Sequence, residues 1–198
     1  MCGIIGYIGH KDAVPLILNG LKRLEYRGYD SAGIAVYNEG HIQIHKTGGK
    51  VLDLEKNLNN LKIQGNIGIG HTRWATHGEP NDINAHPHLS SSNKIALIHN
   101  GIIENYDVLK KELSSRGYKF KSETDTEVLV YLIEDILINY KVDLLEATRL
   151  ALNEVVGAYA IAVISSDYPD LLVAATKGSP LVVGVGDNEY FISSDGSP

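Results

Sequence analysis

The stretch Cys2-Gly-Ile-Ile-Gly-Tyr-Ile8 reads as a short apolar strand with two glycines inside it, Gly3 and Gly6. Glycine within a strand weakens it and marks a place where backbone or ligand comes close. Asp12 then caps a helix at residues 13–24, which sets Val14, Ile17, Leu18 and Leu21 on one face. Residues 32–37 and 42–45 read as paired strands joined by a turn at 38–40, and residues 51–61 as a second helix. From 65 to 87 the periodicity dissolves into Gly, His, Thr, Asn and Pro, the signature of a long polar loop; inside a compact domain such a loop is usually functional. A buried strand is expected at 94–99, helices at 105–116, 125–138 and 144–153, and strands at 158–165, 171–175, 181–185 and 190–193. Strands gather at both ends with helices between them. That order lacks the βαβ alternation of a parallel sheet and predicts an α+β fold of antiparallel sheets with helices packed on them. Two sheets sandwiched between helix layers satisfy it. No repeat or linker interrupts the chain, so a single domain over 1–198 is expected.

Composition narrows the function. The chain is 43% apolar and 21% charged, ordinary for a globular protein. No apolar run approaches the ~20 residues of a membrane helix. The N-terminus lacks the basic segment and apolar core of a secretory signal, and Met-Cys-Gly is not the order that myristoylation requires. A lone cysteine cannot form an internal disulfide, so nothing argues for an oxidising compartment and the cytoplasm is expected. A net charge of −6 without a Lys/Arg cluster argues against nucleic acid as a partner.

That lone cysteine is the first chemical candidate. Most unpaired cysteines are small buried hydrophobes. Cys2, however, follows an initiator Met that is removed readily before a small residue, leaving a thiol and a free α-amine on one residue. The reference pKa values are about 8.5 for the thiol and about 7.7–8.0 for the amine, so the amine can accept the thiol proton without a separate histidine.

Three further segments carry recognition chemistry. His71-Thr-Arg-Trp-Ala-Thr-His-Gly-Glu-Pro80 offers Arg73 as a planar fork for a carboxylate, with Thr76 and His77 as hydrogen-bonding groups; its other reading is a polar loop around a structural Arg. Asn100-Gly101, after a buried strand, is either a plain turn or an oxyanion hole made of a side-chain amide and a backbone N–H. Ser122-Glu-Thr-Asp-Thr-Glu127 opens a helix; capping accounts for such a run, and an Asp there can also bind an ammonium. His71, His77, His86, His88 and His99 raise a metal-binding module as an alternative, but their spacing fits no standard zinc pattern. Thr47-Gly-Gly-Lys50 lacks the remaining parts of a phosphate loop. No metal or cofactor is expected.

Taken together and in order, MCGIIGYIG, RLEYRGYDSAG, HTRWATHGEP, NAHPH, HNGIIENY and SETDTE resemble the glutaminase half of the glucosamine-6-phosphate synthase family. That family is a branch of the N-terminal nucleophile, class II glutamine amidotransferases. The likeness runs from Cys2 to about Asp195. It implies a four-layer αββα sandwich and hydrolysis of L-glutamine to glutamate and ammonia through a γ-glutamyl thioester on Cys2. The ammonia would serve conversion of fructose-6-phosphate to glucosamine-6-phosphate, in an enzyme that continues into a sugar isomerase domain and can form homo-oligomers. The resemblance implies Cys2, Asn100 and Gly101 as catalytic residues, and Arg73, Trp74, Thr76, His77 and Asp125 as substrate-binding ones. Arg27, His86 and His99 match supporting positions beside the site. The glutaminase of another class II amidotransferase, such as amidophosphoribosyltransferase or asparagine synthetase, is the nearest alternative.

Overall fold

A computed structural model describes residues 2–59, 61–74, 79 and 81–198. Its strands are β1 (Gly3–Ile8), β2 (Ser31–Asn38), β3 (His41–Gly48), β4 (Ile67–Arg73), β5 (His88–Leu89), β6 (Ile95–Ile103), β7 (Gly157–Ser165), β8 (Tyr168–Lys177), β9 (Val182–Val185) and β10 (Tyr190–Ser193). The α-helices are α1 (Ala13–Leu24), α2 (Val51–Leu58), α3 (Tyr106–Ser115), α4 (Asp125–Tyr140) and α5 (Leu144–Asn153). One antiparallel sheet runs β3-β2-β4-β1-β10-β9, the other β5-β6-β7-β8.

Side chains alternate across a strand, so a sheet covered on both faces divides its residues between two cores. Ile5, Ile34 and Val36 face α1 and α2, where they meet Val14, Ile17, Leu21 and Leu54. Ile95, Leu97, Ile161 and Val163 face α3–α5 and meet Leu113, Leu129, Ile133 and Leu144. The intervening residues Ile4, Ala35, Ile67, Ile69, Ala96, Ile98, Ala160 and Ala162 form the layer between the sheets. The result is the αββα sandwich. Helix starts follow their caps: Asp12 accepts the Val14 N–H at 3.2 Å, Thr124 the Glu127 N–H at 3.3 Å, and Asp143 the Glu146 N–H at 2.8 Å.

One expectation is corrected and one open alternative is closed. Residues 67–73, expected within a polar loop, form β4, buried throughout and hydrogen-bonded to β1 and β2. Its sequence hides this because the face under α1 carries glycine: a Cβ on Gly70 would lie 2.4 Å from Ile17 Cγ2, so the helix occupies the space of a side chain. Nor do Asn100 and Gly101 form a turn. They continue β6, opposite Ala160 and Tyr159 of β7.

Candidate active site

Extending the inner-facing alternation to one end of the sandwich builds the site. On β4 the series Ile67, Ile69 continues to His71 and Arg73. On β6, Ala96 and Ile98 lead to Asn100, and Ile4 of β1 is preceded two residues earlier by Cys2. Three adjacent strand ends thus exchange apolar side chains for a thiol, an imidazole, a guanidinium and an amide. They open on a cavity of about 310 Å³ lined by Cys2, Arg73, Asn100 and Gly101, with Asp125 and Thr126 from the start of α4. Arg27, Trp74, His86 and His99 complete most of the wall, and Ser179 and Pro180 contribute to it. A space of this size is at the small end of ligand pockets. The structure therefore gathers every described residue singled out in the sequence as catalytic, substrate-binding or supporting; Thr76 and His77 lie outside the described residues.

The nucleophile candidate is held by the backbone of Trp74. Cys2 Sγ accepts the Trp74 N–H at 3.2 Å and donates to the Trp74 carbonyl at 3.5 Å. Burial pushes the thiol above its usual pKa, while the Trp74 N–H and the Arg73 guanidinium pull it down. The Cys2 carbonyl accepts from Asn100 Nδ2 at 2.9 Å and from Arg27 Nε at 3.2 Å. Arg27 pairs in turn with Asp195 at 3.0 Å. The Tyr26 hydroxyl and Arg27, with groups of Ser197, hold that carboxyl down to about 2.

Gly101 has φ +136°, and a Cβ there would meet the Ala158 carbonyl oxygen at 2.0 Å. Glycine alone lets β6 lie this close to β7 while presenting its end to the cavity. The run at 122–127 divides its labour. Thr124 caps α4, and Glu127 accepts the Lys121 and Ser122 N–H groups. Asp125, 5% exposed, accepts the Ile103 N–H at 2.8 Å and reaches the cavity.

The matching family is the glutamine amidotransferase domain, whose pattern covers residues 71–197. The chain belongs to the glutamine amidotransferase family. This amidotransferase domain is 59% identical to the glutamine–fructose-6-phosphate aminotransferase (isomerizing) of Bacteroides thetaiotaomicron, over all of this chain and 32% of that protein. It is 55% identical to the protein of the same name from Pyrococcus horikoshii, over 98% of this chain and 32% of the other. The chain thus spans about a third of the length of the curated relatives it matches. Among solved structures it is similar to the glutamine phosphoribosylpyrophosphate amidotransferase of B. subtilis, with TM-score 0.83 and 30% identity over 98% of this chain and 42% of that one. A structure described as the allosteric regulatory enzyme of purine biosynthesis gives TM-score 0.85 and 32% identity over the same shares.

Four histidines of the amidotransferase domain, His71, His86, His88 and His99, lie in or behind the cavity wall. His99 Nδ1 lies 3.1 Å from Thr126 Oγ1; His86 Nε2 lies 3.3 Å from the same hydroxyl, and His86 Nδ1 accepts the His99 N–H at 3.3 Å. His88 Nε2 lies 3.0 Å from Thr124 Oγ1. Among the described residues no group of three His, Cys, Asp or Glu is placed to hold a metal ion. Burial keeps His86 and His88 well below their usual range and lowers His71 to about 3. Sequence reasoning missed His71, Thr126 and Asp195 as parts of the site. Asp195 lies 168 residues from Arg27, and no local pattern announces such a pair. His71 did carry a signal, two positions before Arg73 and so on the same strand face.

Proposed function

We propose that this chain is a glutaminase domain that cleaves L-glutamine to L-glutamate and ammonia through Cys2. The observation that carries the reading is the cavity itself, where one thiol shares a wall with a guanidinium, a carboxylate and a side-chain amide. A free α-amino acid presents complementary groups: its α-carboxylate suits Arg73, its α-ammonium suits Asp125, and its side-chain amide then lies toward Cys2. Trp74, 49% exposed at the rim, and Thr76 and His77 in the segment after it add contacts to the substrate.

With Met1 removed, the Cys2 amine takes the thiol proton and sulfur attacks the side-chain carbonyl carbon. Asn100 Nδ2 and the Gly101 N–H stabilise the resulting oxyanion. The C–N bond breaks as the ammonium proton passes to the leaving nitrogen, releasing ammonia and a γ-glutamyl thioester. Water, deprotonated by the same amine, attacks the thioester; glutamate leaves and the thiol is restored. Arg27, paired with Asp195, holds the Cys2 carbonyl, while His86 and His99 support the wall without a chemical step.

In a longer enzyme with a sugar isomerase domain, we place the ammonia in conversion of fructose-6-phosphate to glucosamine-6-phosphate, in the cytoplasm. The 53–59% identity to proteins named for that aminotransferase, against 30–32% to the two solved structures, favours this over other class II members. The test follows both products with purified, Met1-processed chain, glutamine and fructose-6-phosphate. Glutamate and ammonia are expected in equal amounts, with no amino sugar. No ammonia release would overturn the glutaminase reading, and amino-sugar formation would place the acceptor site within these residues.

A further inference from the structure

We infer that His71 is a positioning residue, whose Nε2–H fixes which way the Asn100 side-chain amide points and so aims its NH₂ group at the nucleophile. The inference rests on the glutaminase reading for its catalytic consequence, but not for its geometry. His71 is 1% exposed and does not line the cavity. Its Nε2 lies 3.1 Å from the His99 carbonyl oxygen and 2.9 Å from Asn100 Oδ1.

The two ends of an asparagine amide have nearly the same shape, so only their partners decide the orientation. A carbonyl oxygen can only accept, hence His71 Nε2 must carry the hydrogen. That hydrogen is shared with Asn100, which must then offer its oxygen. With Oδ1 engaged, Nδ2 is turned the other way, onto the Cys2 carbonyl at 2.9 Å. A flipped amide would set NH₂ against N–H and leave the Cys2 carbonyl facing an oxygen.

The other ring nitrogen argues for the same tautomer. His71 Nδ1 is buried and has no hydrogen-bond partner among the described residues. A hydrogen there would be a donor without a partner, and taking it from Nε2 would also forfeit both existing bonds. Burial first, then the neighbouring His99 and the Arg73 cation, disfavour a second proton on the ring, which stacks on His86 at 4.2 Å between centroids. The ring is thereby a fixed neutral donor through the pH range in which the thiol works.

The first measurement uses the unaltered chain: nitrogen-15 NMR of the His71 ring from pH 8 to 5.5, expected to show protonated Nε2 and bare Nδ1 throughout. An Nδ1–H tautomer would overturn the inference. The second compares His71→Phe, which fills the space without a donor, with His71→Gln, whose amide N–H reaches toward Asn100 Oδ1. For His71→Phe, kcat for glutamine should fall about 10–100-fold with KM within about twofold, approaching the loss of an oxyanion donor. His71→Gln should recover most of kcat. Alkylation of Cys2 by iodoacetamide displaces iodide and develops no carbonyl oxyanion, so its rate should stay within about twofold in both variants. Wild-type kcat in His71→Phe, or an equal loss of alkylation and turnover, would overturn the positioning role. If His71→Phe does not fold, the tautomer and the kcat of His71→Gln still decide. A wild-type chain inactive on glutamine, yet with the Nε2–H tautomer, would defeat the glutaminase reading and leave the orientation of Asn100 standing.

Discussion

Gly28 supports the peptide that joins Arg73 to Trp74: a Cβ on Gly28 would lie 2.9 Å from the Arg73 carbonyl carbon and 3.0 Å from Trp74 N. Its φ of 175° is ordinary extended backbone, so what the position requires is space and not conformational freedom. The N–H supported in this way is the one that holds Cys2 Sγ at 3.2 Å. Gly28→Ala should push Trp74 away and remove a donor that lowers the thiol pKa. The pH profile of Cys2 alkylation is then expected to move to higher pH, with slower reaction near neutrality. An unchanged profile in a folded variant would show that the Trp74 contact does not tune the thiol.

A residue left in front of Cys2 should abolish turnover while the thermal transition stays in place, because it converts the basic amine into an amide. Cys2→Ala should likewise fold and be inactive. Mass spectrometry establishes the N-terminus of each preparation, and ammonia release gives the activity. Full activity in a chain with an uncleaved extension would exclude the amine as base.

Arg73→Ala and Asp125→Asn each delete one charge partner of a zwitterionic substrate. Losing such a pair in a partly desolvated site costs about 2–5 kcal/mol, so kcat/KM should fall at least tenfold. Asn at 125 retains an acceptor for the Ile103 N–H, 2.8 Å away in the native protein, which protects the fold. The Asp125 variant should lose more on glutamine than on an analogue without the α-amine. Equal losses would mean that Asp125 does not read the ammonium.

His71, His86 and His88 stay neutral in the folded chain, with pKa values pushed down by burial, His71 to about 3. In the unfolded chain each protonates at about 6.5. The unfolded state therefore binds more protons as pH falls, so the contribution is fully present above about 6.5 and is lost progressively below it. Each histidine adds a slope approaching about 1.4 kcal/mol per pH unit, or about 4 kcal/mol for three. Urea unfolding between pH 7.5 and 5 should show this decline, and a flat profile would contradict neutral burial.

Gly101→Ala combines a positive φ with an Ala158 oxygen 2.0 Å from the new Cβ. Strain at such a φ costs about 1–3 kcal/mol before β6 and β7 are forced apart. A fall in Tm of at least about 5 °C is expected in a thermal melt, at roughly 2–4 °C per kcal/mol for a chain of this size. Stability equal to wild type would show that the strand ends can separate freely.

Much of this was legible beforehand, and the failures have physical causes. Residues 13–24, 158–165 and 190–193 show their pattern because the faces that meet a core do so through their own side chains. β4 does not, because α1 fills the space above Gly68 and Gly70, and the strand loses its apolar signature where it is most buried. Asn100-Gly101 looks like a turn because local statistics cannot see the Ala158 carbonyl that a side chain would strike.

By itself the sequence determined the α+β class, the strand and helix faces, and the placing of a single thiol beside the chain's amino end, because these follow from covalent geometry and near-neighbour spacing. Only the tertiary structure decided that β1, β4 and β6 run out of apolar inner residues at the same end. The face-to-face packing of the two sheets puts Asn100 against the Cys2 carbonyl across 98 residues of sequence separation, and α4 brings Asp125 to the same cavity. That packing depends on whole faces and not on any local stretch, so the site exists only once the two sheets have closed on each other.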